Sequence, residues 1–191
     1  MKLLALDIAG RTGWVLGSPD GTPTISAWRL KGQDADDRAG DLGDQLRCLC
    51  MVNPDIEMIA VEQAMSSMAI MSAPAIEQTY ELHGAVRAVA RCYGIPVRKT
   101  PVATIRTHFC GKASAAAPRQ RGSAPRSSRQ KEADREATKM MVWRRAVQLG
   151  YFERGERPDY DKADAVAVFD HAAFTFLKVQ RPFAMFAQVG E

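Results

Sequence analysis

The stretch KLLALDIAGRTGWVLG, residues 2–17, decides the fold class of this chain. The apolar run Lys2–Ile8 predicts a buried strand, and Gly10–Gly13 supplies turn chemistry before a second short strand at Trp14–Gly17. A third strand is predicted at Thr24–Leu30, beyond a turn rich in Pro and Gly. Three successive strands joined by short turns predict an antiparallel meander at the start of the fold.

After the meander the apolar residues follow a helical period, from Ala35 until Asn53-Pro54 ends the helix. The further predicted elements are a strand at Met58–Val61 ending on Glu62, a helix from Pro74 to Tyr93, a strand at Ile95–Val97, and helices at Pro101–Phe109, about Glu132–Gln148 and about Asp161–Leu177. The order βββ-α-β-α-β-α-α-α predicts an α/β fold: a mixed five-stranded sheet with helices on both faces.

Length and composition point to one globular domain. The 191 residues suit a single core, with 46% hydrophobic and 25% charged residues. We expect one domain over residues 1–177 and a C-terminal tail over 178–191. The apolar runs are too short to span a bilayer, and the N-terminus lacks a secretory pattern, so we expect a cytoplasmic protein with no membrane partner.

The positive charge is concentrated in one segment. Lys112 to Arg145 carries a net charge of +7, which leaves −3 for the rest of the chain. Such a segment favours a polyanionic partner, although a basic loop can also be a solvated spacer. Residues 111 to about 131 are of low complexity, and we expect this insertion to be mobile without its partner. The candidate DNA-binding residues there are Lys112, Arg119, Arg121, Arg126, Arg129 and Lys131.

Four acidic residues stand where apolar elements meet loops. Asp7 and Glu62 end predicted strands, while Asp161 and Asp164 begin the last helix on one face of it. Carboxylates beside a core are costly unless a positive charge compensates them, and Mg²⁺ suits such oxygen ligands. Each acid also has an ordinary explanation as a turn former or a helix cap, the latter for Asp161 in particular.

The chain resembles the RuvC-type Holliday-junction resolvases (crossover junction endodeoxyribonucleases), particularly their phage-like relatives, within the ribonuclease-H-like superfamily. The resemblance covers about Lys2 to Ala173. The motifs that carry it are Leu6–Gly10 with Thr12–Trp14, Ile59–Gln63 and Asp161–Ala165, supported by Leu82–Val86 and Ile105–Gly111.

The resemblance implies a set of site residues. Asp7, Glu62, Asp161 and Asp164 match the family's four metal-binding carboxylates, which would hold two Mg²⁺ per active site, with Mn²⁺ as a substitute. Lys139 is similar to the active-site lysine, with Lys131 as a competitor. The position of the family's aromatic wedge falls on Met65, followed by Met68 and Met71, so the mode of junction opening is left open.

The resemblance also implies an activity and partners. The protein would be a Mg²⁺-dependent endonuclease that cuts Holliday junctions symmetrically, in recombination or phage DNA processing, and leaves 5′-phosphate and 3′-hydroxyl ends. Branched DNA would be the partner, with no small-molecule substrate. Symmetric cleavage implies a homodimer, whose surface is either the apolar helix face at Tyr80–Val89 or the aromatic tail at residues 182–186.

Three alternatives remain at this point. A flap nuclease, a less selective nuclease or a ribonuclease H of the same superfamily would use the same acids. An actin-like or sugar-kinase-type ATP-binding protein also opens with Asp-x-Gly, but Ala9 stands at the glycine position here. A DNA-binding protein with a degenerate nuclease fold would not need all four acids. Tests of cleavage and of nucleotide binding separate these classes.

Overall fold

Strands and helices follow one another in the predicted order βββ-α-β-α-β-α-α-α. A computed structural model describes residues 1–64, 72–116 and 126–179 of the chain. The strands are β1 (Lys2–Asp7), β2 (Arg11–Gly17), β3 (Thr24–Arg29), β4 (Ile56–Glu62) and β5 (Val97–Thr100). The helices are α1 (Ala35–Val52), α2 (Ala73–Cys92), α3 (Val102–Cys110), α4 (Ser128–Gln148) and α5 (Tyr160–Leu177). The predicted α/β class is confirmed.

The five strands form one mixed sheet in the order β3-β2-β1-β4-β5. β1 pairs antiparallel with β2, and β2 with β3, as the meander predicts. β1 and β4 are parallel, and so are β4 and β5, each reached through a helical crossover. The central strands β1 and β4 are covered on both faces, and for this reason they read as continuous apolar runs in the sequence.

Helices cover both faces of the sheet and divide the core in two. Leu4 and Leu6 of β1 pack in one cluster, with α1 and α2. Leu3 and Ala5 point the other way and pack with α3, α4 and α5. The predicted burial of α5 is confirmed, since its residues from 165 to 173 are all buried. Within the described ranges no helix combines the length and apolarity that a membrane crossing requires.

The strand boundaries differ most from the prediction at β2 and β5. β2 begins at Arg11 instead of Trp14, because Arg11 already pairs with Arg29 of β3, and three of the four residues of the predicted turn at Gly10–Gly13 belong to the strand. β5 lies at Val97–Thr100 instead of Ile95–Val97. It is an edge strand with exposed charged residues, so a prediction from apolar residues alone misses part of it.

The basic insertion is shorter than predicted. α4 begins at Ser128, where Ser127 and Gln130 form a capping box, so residues 128–131, which the predicted insertion included, belong to this helix. The other end of the insertion is also attached to α4: the hydroxyls of Ser114 and Thr138 are 3.2 Å apart, and the Ala115 amide donates to Thr138 Oγ1 at 3.2 Å. Residues 117–125 lie outside the described ranges.

Candidate active site

Two of the four predicted acids end neighbouring parallel strands. Asp7 is the last residue of β1 and Glu62 the last of β4, and the register pairs Leu6 with Val61 just before them. Because the two strands run in the same direction, both carboxylates lie at the same edge of the sheet. Both side chains are only partly accessible to solvent.

The first turn of α5 reaches this edge through a glycine. Gly13 pairs with Asp7 across the β1–β2 ladder. A Cβ atom on Gly13 would lie 2.0 Å from the carbonyl oxygen of Asp161, so the strand backbone packs directly against the helix start. This contact brings Asp161 to Asp7, and Asp164 follows one turn later on the same helical face. The fold therefore places all four acids at one end of the sheet.

Asp161 is not the cap of α5. The N-cap is Asp159, whose side chain accepts a hydrogen bond from the amide of Lys162 at 3.4 Å. The capping explanation for Asp161 is therefore wrong: Asp161 lies in the first turn of α5, and its carboxylate accepts a hydrogen bond from Arg11.

Burial and mutual repulsion hold three of the acids away from their usual ionisation. Burial raises the pKa of Asp7 well above its ordinary value, and the carboxylates of Asp164, Glu62 and Asp161 add to the increase. The pKa of Glu62 is raised to about 7, mainly by burial. Burial also raises the pKa of Asp164. Carboxylates in such a group ionise together only when a cation compensates them.

Arg106 supplies part of that compensation, and sequence reasoning did not assign it a role. It lies in α3, and its guanidinium is 3.6 Å from the Asp164 carboxylate. Its charge lowers the pKa of Asp7, Glu62 and Asp164 against the effect of burial. The Arg106 Nε atom is buried and has no hydrogen-bond partner among the described residues. The sequence does contain one indication of this role. Arg106 lies in the first helix after β5, and the carboxyl end of β5 is at the same edge of the sheet as the acids.

Lys139 lies on the side of α4 that faces the acids. Its charge lowers the pKa of Asp164. The Lys139 Nζ atom lies 5.5 Å from the ring centroid of Tyr160, and the Tyr160 hydroxyl donates to Glu136 at 2.5 Å. Lys131 is exposed in the first turn of the same helix, about two turns away. Of the two predicted lysines, Lys139 is therefore the one beside the site.

Arg11 ties the start of β2 to the start of α5. Its guanidinium donates two hydrogen bonds to the carboxylate of Asp159, at 2.7 and 2.6 Å, and a third to Asp161. These hydrogen bonds lower the pKa of Asp159 and raise that of Arg11. Arg11 was not among the predicted site residues.

The predicted DNA-binding residues fall into three groups. Lys112, Arg129 and Lys131 are exposed beside or on α4. Arg126 forms an ion pair with Asp134 of α4 at 3.2 Å. Met65, with Met68 and Met71, and the arginines at 119 and 121 lie outside the described residues. His171, also on α5, packs against His108, with ring centroids 5.3 Å apart.

The donor chemistry of the site fits a divalent cation. The acids offer hard oxygen ligands. Their pKa values are raised because too little positive charge is nearby, and a bound divalent cation would supply that charge. In the described part of the chain, no three His, Cys, Asp or Glu side chains are arranged to hold a metal as they stand. With Arg106 beside Asp164, the acids are electrostatically coupled but not gathered into a coordination shell.

Comparison with known proteins gives a structural likeness alone. No protein-family profile and no curated protein sequence matches the chain. The Thermus thermophilus RuvC structure matches with a TM-score of 0.60 and 19% identity, over 95% of this chain and 99% of that one. The T. thermophilus RuvC in complex with Holliday junction substrate matches with a TM-score of 0.61 and 17% identity, over the same shares.

The yeast mitochondrial Holliday junction resolvase matches with a TM-score of 0.50 and 15% identity, over 88% of this chain and 75% of that one. At these identities the likeness establishes the fold. The predicted ribonuclease-H-like mixed sheet, of the kind found in RuvC, is confirmed. Placement in the phage-like branch stays a prediction.

Proposed function

We propose that this protein is a metal-dependent endonuclease that cuts branched DNA, with the four-way junction as its preferred substrate. The observation that carries the proposal is the group of half-buried carboxylates Asp7, Glu62 and Asp164 at one edge of a RuvC-like sheet. A structure of the same fold is described as bound to a Holliday junction substrate, which supports the choice of substrate class.

Asp7, Glu62 and Asp164 would hold the metal ions, with Asp161 at the more open rim of the site. When bound, two Mg²⁺ ions, or Mn²⁺ in their place, supply an activated water and stabilise the leaving oxygen at a scissile phosphate. Asp7 would be the central metal ligand, because the carboxylates of the other three acids all raise its pKa. Hydrolysis would leave 5′-phosphate and 3′-hydroxyl ends.

The cationic side chains have a separate role in the proposal. Arg106 and Lys139 lie close enough to the acids to change the pKa of Asp164, and so close enough to act on a phosphate bound there. They would offset the charge that develops on the phosphoryl oxygens. The exposed bases beside α4, Lys112, Arg129 and Lys131, would hold the DNA backbone through contacts that do not depend on sequence.

Symmetric cleavage would need two copies of the site related by a twofold axis, so we propose a homodimer. The α2 face predicted for this purpose is largely used inside the chain, because Leu82 and Val86 are buried in the core against α1. Tyr80 of the same helix is 51% exposed and is the part of that face still open to a partner. The aromatic tail at residues 182–186 lies outside the described residues.

The test of the proposal is cleavage of a substrate panel with Mg²⁺: four-way junction, flap, duplex, single strand and RNA–DNA hybrid. We expect Asp7→Asn to lower junction cleavage by about a thousandfold or more, because a central ligand is lost, while junction binding is kept or tightened. Asp44→Asn removes an exposed carboxylate from α1 and is the matched control.

The outcomes separate the alternatives. Cleavage by Asp7→Asn at the wild-type rate would contradict the site assignment. Preference for flap or hybrid would replace the junction by another substrate of the same chemistry. Absence of cleavage with tight binding of Mg²⁺-ATP would favour the ATP-binding class instead.

A further inference from the structure

Arg11 is the first residue of β2, and it joins this strand to the start of α5 by binding two carboxylates. Its two terminal nitrogens bind both oxygens of Asp159, at 2.7 and 2.6 Å, and Nη1 also donates to Asp161. The backbone contact at Gly13 brings these groups together, since β2 packs on the Asp161 carbonyl without an intervening side chain. One guanidinium thus serves an acid that caps the helix and an acid of the candidate site.

Two arginines each form an ion pair with a different acid of the candidate site. Arg106 faces Asp164, whose side chain is only 16% exposed. Arg11 faces Asp161, whose side chain is 33% exposed. An incoming cation therefore reaches the carboxylate that Arg11 holds more directly than that of Asp164.

We propose that Arg11 is a positioning residue that competes with a divalent cation for the Asp161 carboxylate and so sets the metal affinity of the site. The proposal rests on the function proposed above. The bidentate pair with Asp159 anchors Arg11 to the protein, while its single hydrogen bond to Asp161 is exchangeable. Asp161 is then shared between the guanidinium and the metal, in contrast to the acids that Arg11 does not touch.

The competition follows from simple charge balance. A cation that takes Asp161 must separate it from Arg11 or bind beside a guanidinium that repels it. Removal of the Arg11 charge should therefore tighten metal binding. A residue that only stabilised the start of α5 would change the melting temperature and leave metal affinity unaltered.

The experiment is calorimetric titration of the full chain with Mn²⁺ alone, without DNA. We expect Arg11→Gln to bind Mn²⁺ about three- to tenfold more tightly than the wild type, because the competing charge is lost. Arg11→Lys keeps the charge and should stay near wild-type affinity. Adding Asp161→Asn to Arg11→Gln should remove the gain. Arg157→Gln removes an exposed charge from the loop before α5 and is the matched control.

Unchanged or weaker Mn²⁺ binding by a folded Arg11→Gln would overturn the proposal. If that variant does not fold, Asp161→Asn with Arg11 intact decides: a loss of less than about threefold supports the proposal, because Arg11 already holds Asp161 in competition. A loss as large as that of Asp164→Asn would make Asp161 a permanent ligand and overturn it. Equal binding by the wild type and Asp7→Asn would instead contradict the metal site itself, and the inference with it.

Discussion

At the scale of single residues, half-buried carboxylates of the candidate site are opposed by the nearby cations Arg11, Arg106 and Lys139. Burial and the carboxylates of the other three acids all raise the pKa of Asp7. Arg106 and Lys139 act in the opposite direction on Asp164. Such an arrangement costs stability when no further cation is present, which is typical of functional sites rather than of structural ion pairs.

The position of Lys139 depends on the aromatic ring of Tyr160. Tyr160→Ala should lower the turnover number for junction cleavage by about tenfold, because Lys139 loses the ring that places it beside the acids. Tyr160→Phe keeps the ring and removes only the hydrogen bond to Glu136, so it is the matched control and should stay near wild-type turnover. Single-turnover kinetics at saturating protein measure the effect. Equal loss in both variants would show that the hydroxyl, and not the ring, matters.

At the scale of elements, the packing of β2 on the start of α5 assembles the site. This contact depends on the missing side chain at Gly13, since any Cβ there would overlap the Asp161 backbone. The acids on β1 and on α5 are far apart in sequence. They come together because α5 packs against β2, the strand paired with β1. A change at Gly13 should therefore affect stability and metal binding together.

Gly13→Ala should lower the free energy of unfolding by about 2 kcal/mol or more, because strand or helix must shift to admit the methyl group. Gly40→Ala is the matched control: in α1 its Cβ would meet nothing within 4 Å, and we expect a gain of about 0.5–1 kcal/mol from helix propensity. Urea denaturation of both variants measures the difference. A Gly13→Ala protein as stable as the wild type would contradict the close approach.

Helix α2 carries a histidine whose neutral form the fold requires. His83 is 7% exposed, and burial, with Lys99 and Arg87 nearby, lowers its pKa to about 4. The unfolded chain therefore binds a proton at pH values between about 6.5 and 4 that the folded chain does not bind. Folding stability should fall as the pH falls through this window.

We expect the lowered pKa of His83 to reduce the free energy of unfolding by at most about 3 kcal/mol at pH 4. Above about pH 7 this reduction should vanish. The measurement is the difference in unfolding free energy between the wild type and His83→Leu across this range. The subtraction removes the contribution of the other titrating groups. A difference that does not change with pH would show that the folded and unfolded chains protonate His83 equally, and would contradict the lowered pKa.

At the scale of the whole molecule, negative and positive charge are separated along one side of the fold. The acids lie at the edge of the sheet, and α3, which carries Arg106 to them, ends where the basic segment begins at Lys112. α2 connects the carboxyl end of β4 to the start of β5. Its last turn, with the exposed Arg91, therefore lies at the end of the sheet away from the acids. A DNA backbone that enters the site should therefore meet the basic segment and not Arg91.

Replacing both Arg119 and Arg121 by Gln should weaken junction binding and reduce the slope of log K against log salt concentration by about 2, one unit for each lost phosphate contact. Arg47→Gln with Arg91→Gln removes the same charge from α1 and α2 and should leave the slope unchanged. Fluorescence anisotropy at several salt concentrations gives both slopes. Equal slopes in the two double variants would make the insertion a spacer.

Local pattern alone was sufficient for the element order and the sheet class. The apolar runs of β1 and β4, the helical period of α1 and the all-round apolar α5 each encode their structure within one window. The same patterns placed Asp7 and Glu62 at strand ends and the last two acids at a helix start. These inferences needed no long-range contact, because strand and helix periods are properties of consecutive residues.

Tertiary structure alone decided which cations meet which acids. Arg11 reaches Asp159 and Asp161, and Arg106 reaches Asp164, only after α5 has packed on β2 and α3 has followed β5 back to the same edge. An arginine within a strand or a short helix looks like a solvent-exposed charge when its neighbours in space are unknown. Residue patterns within the sequence indicated the four acids and predicted a common edge of the sheet for them. The counter-charges around these acids depend on contacts between distant elements, which no local window contains.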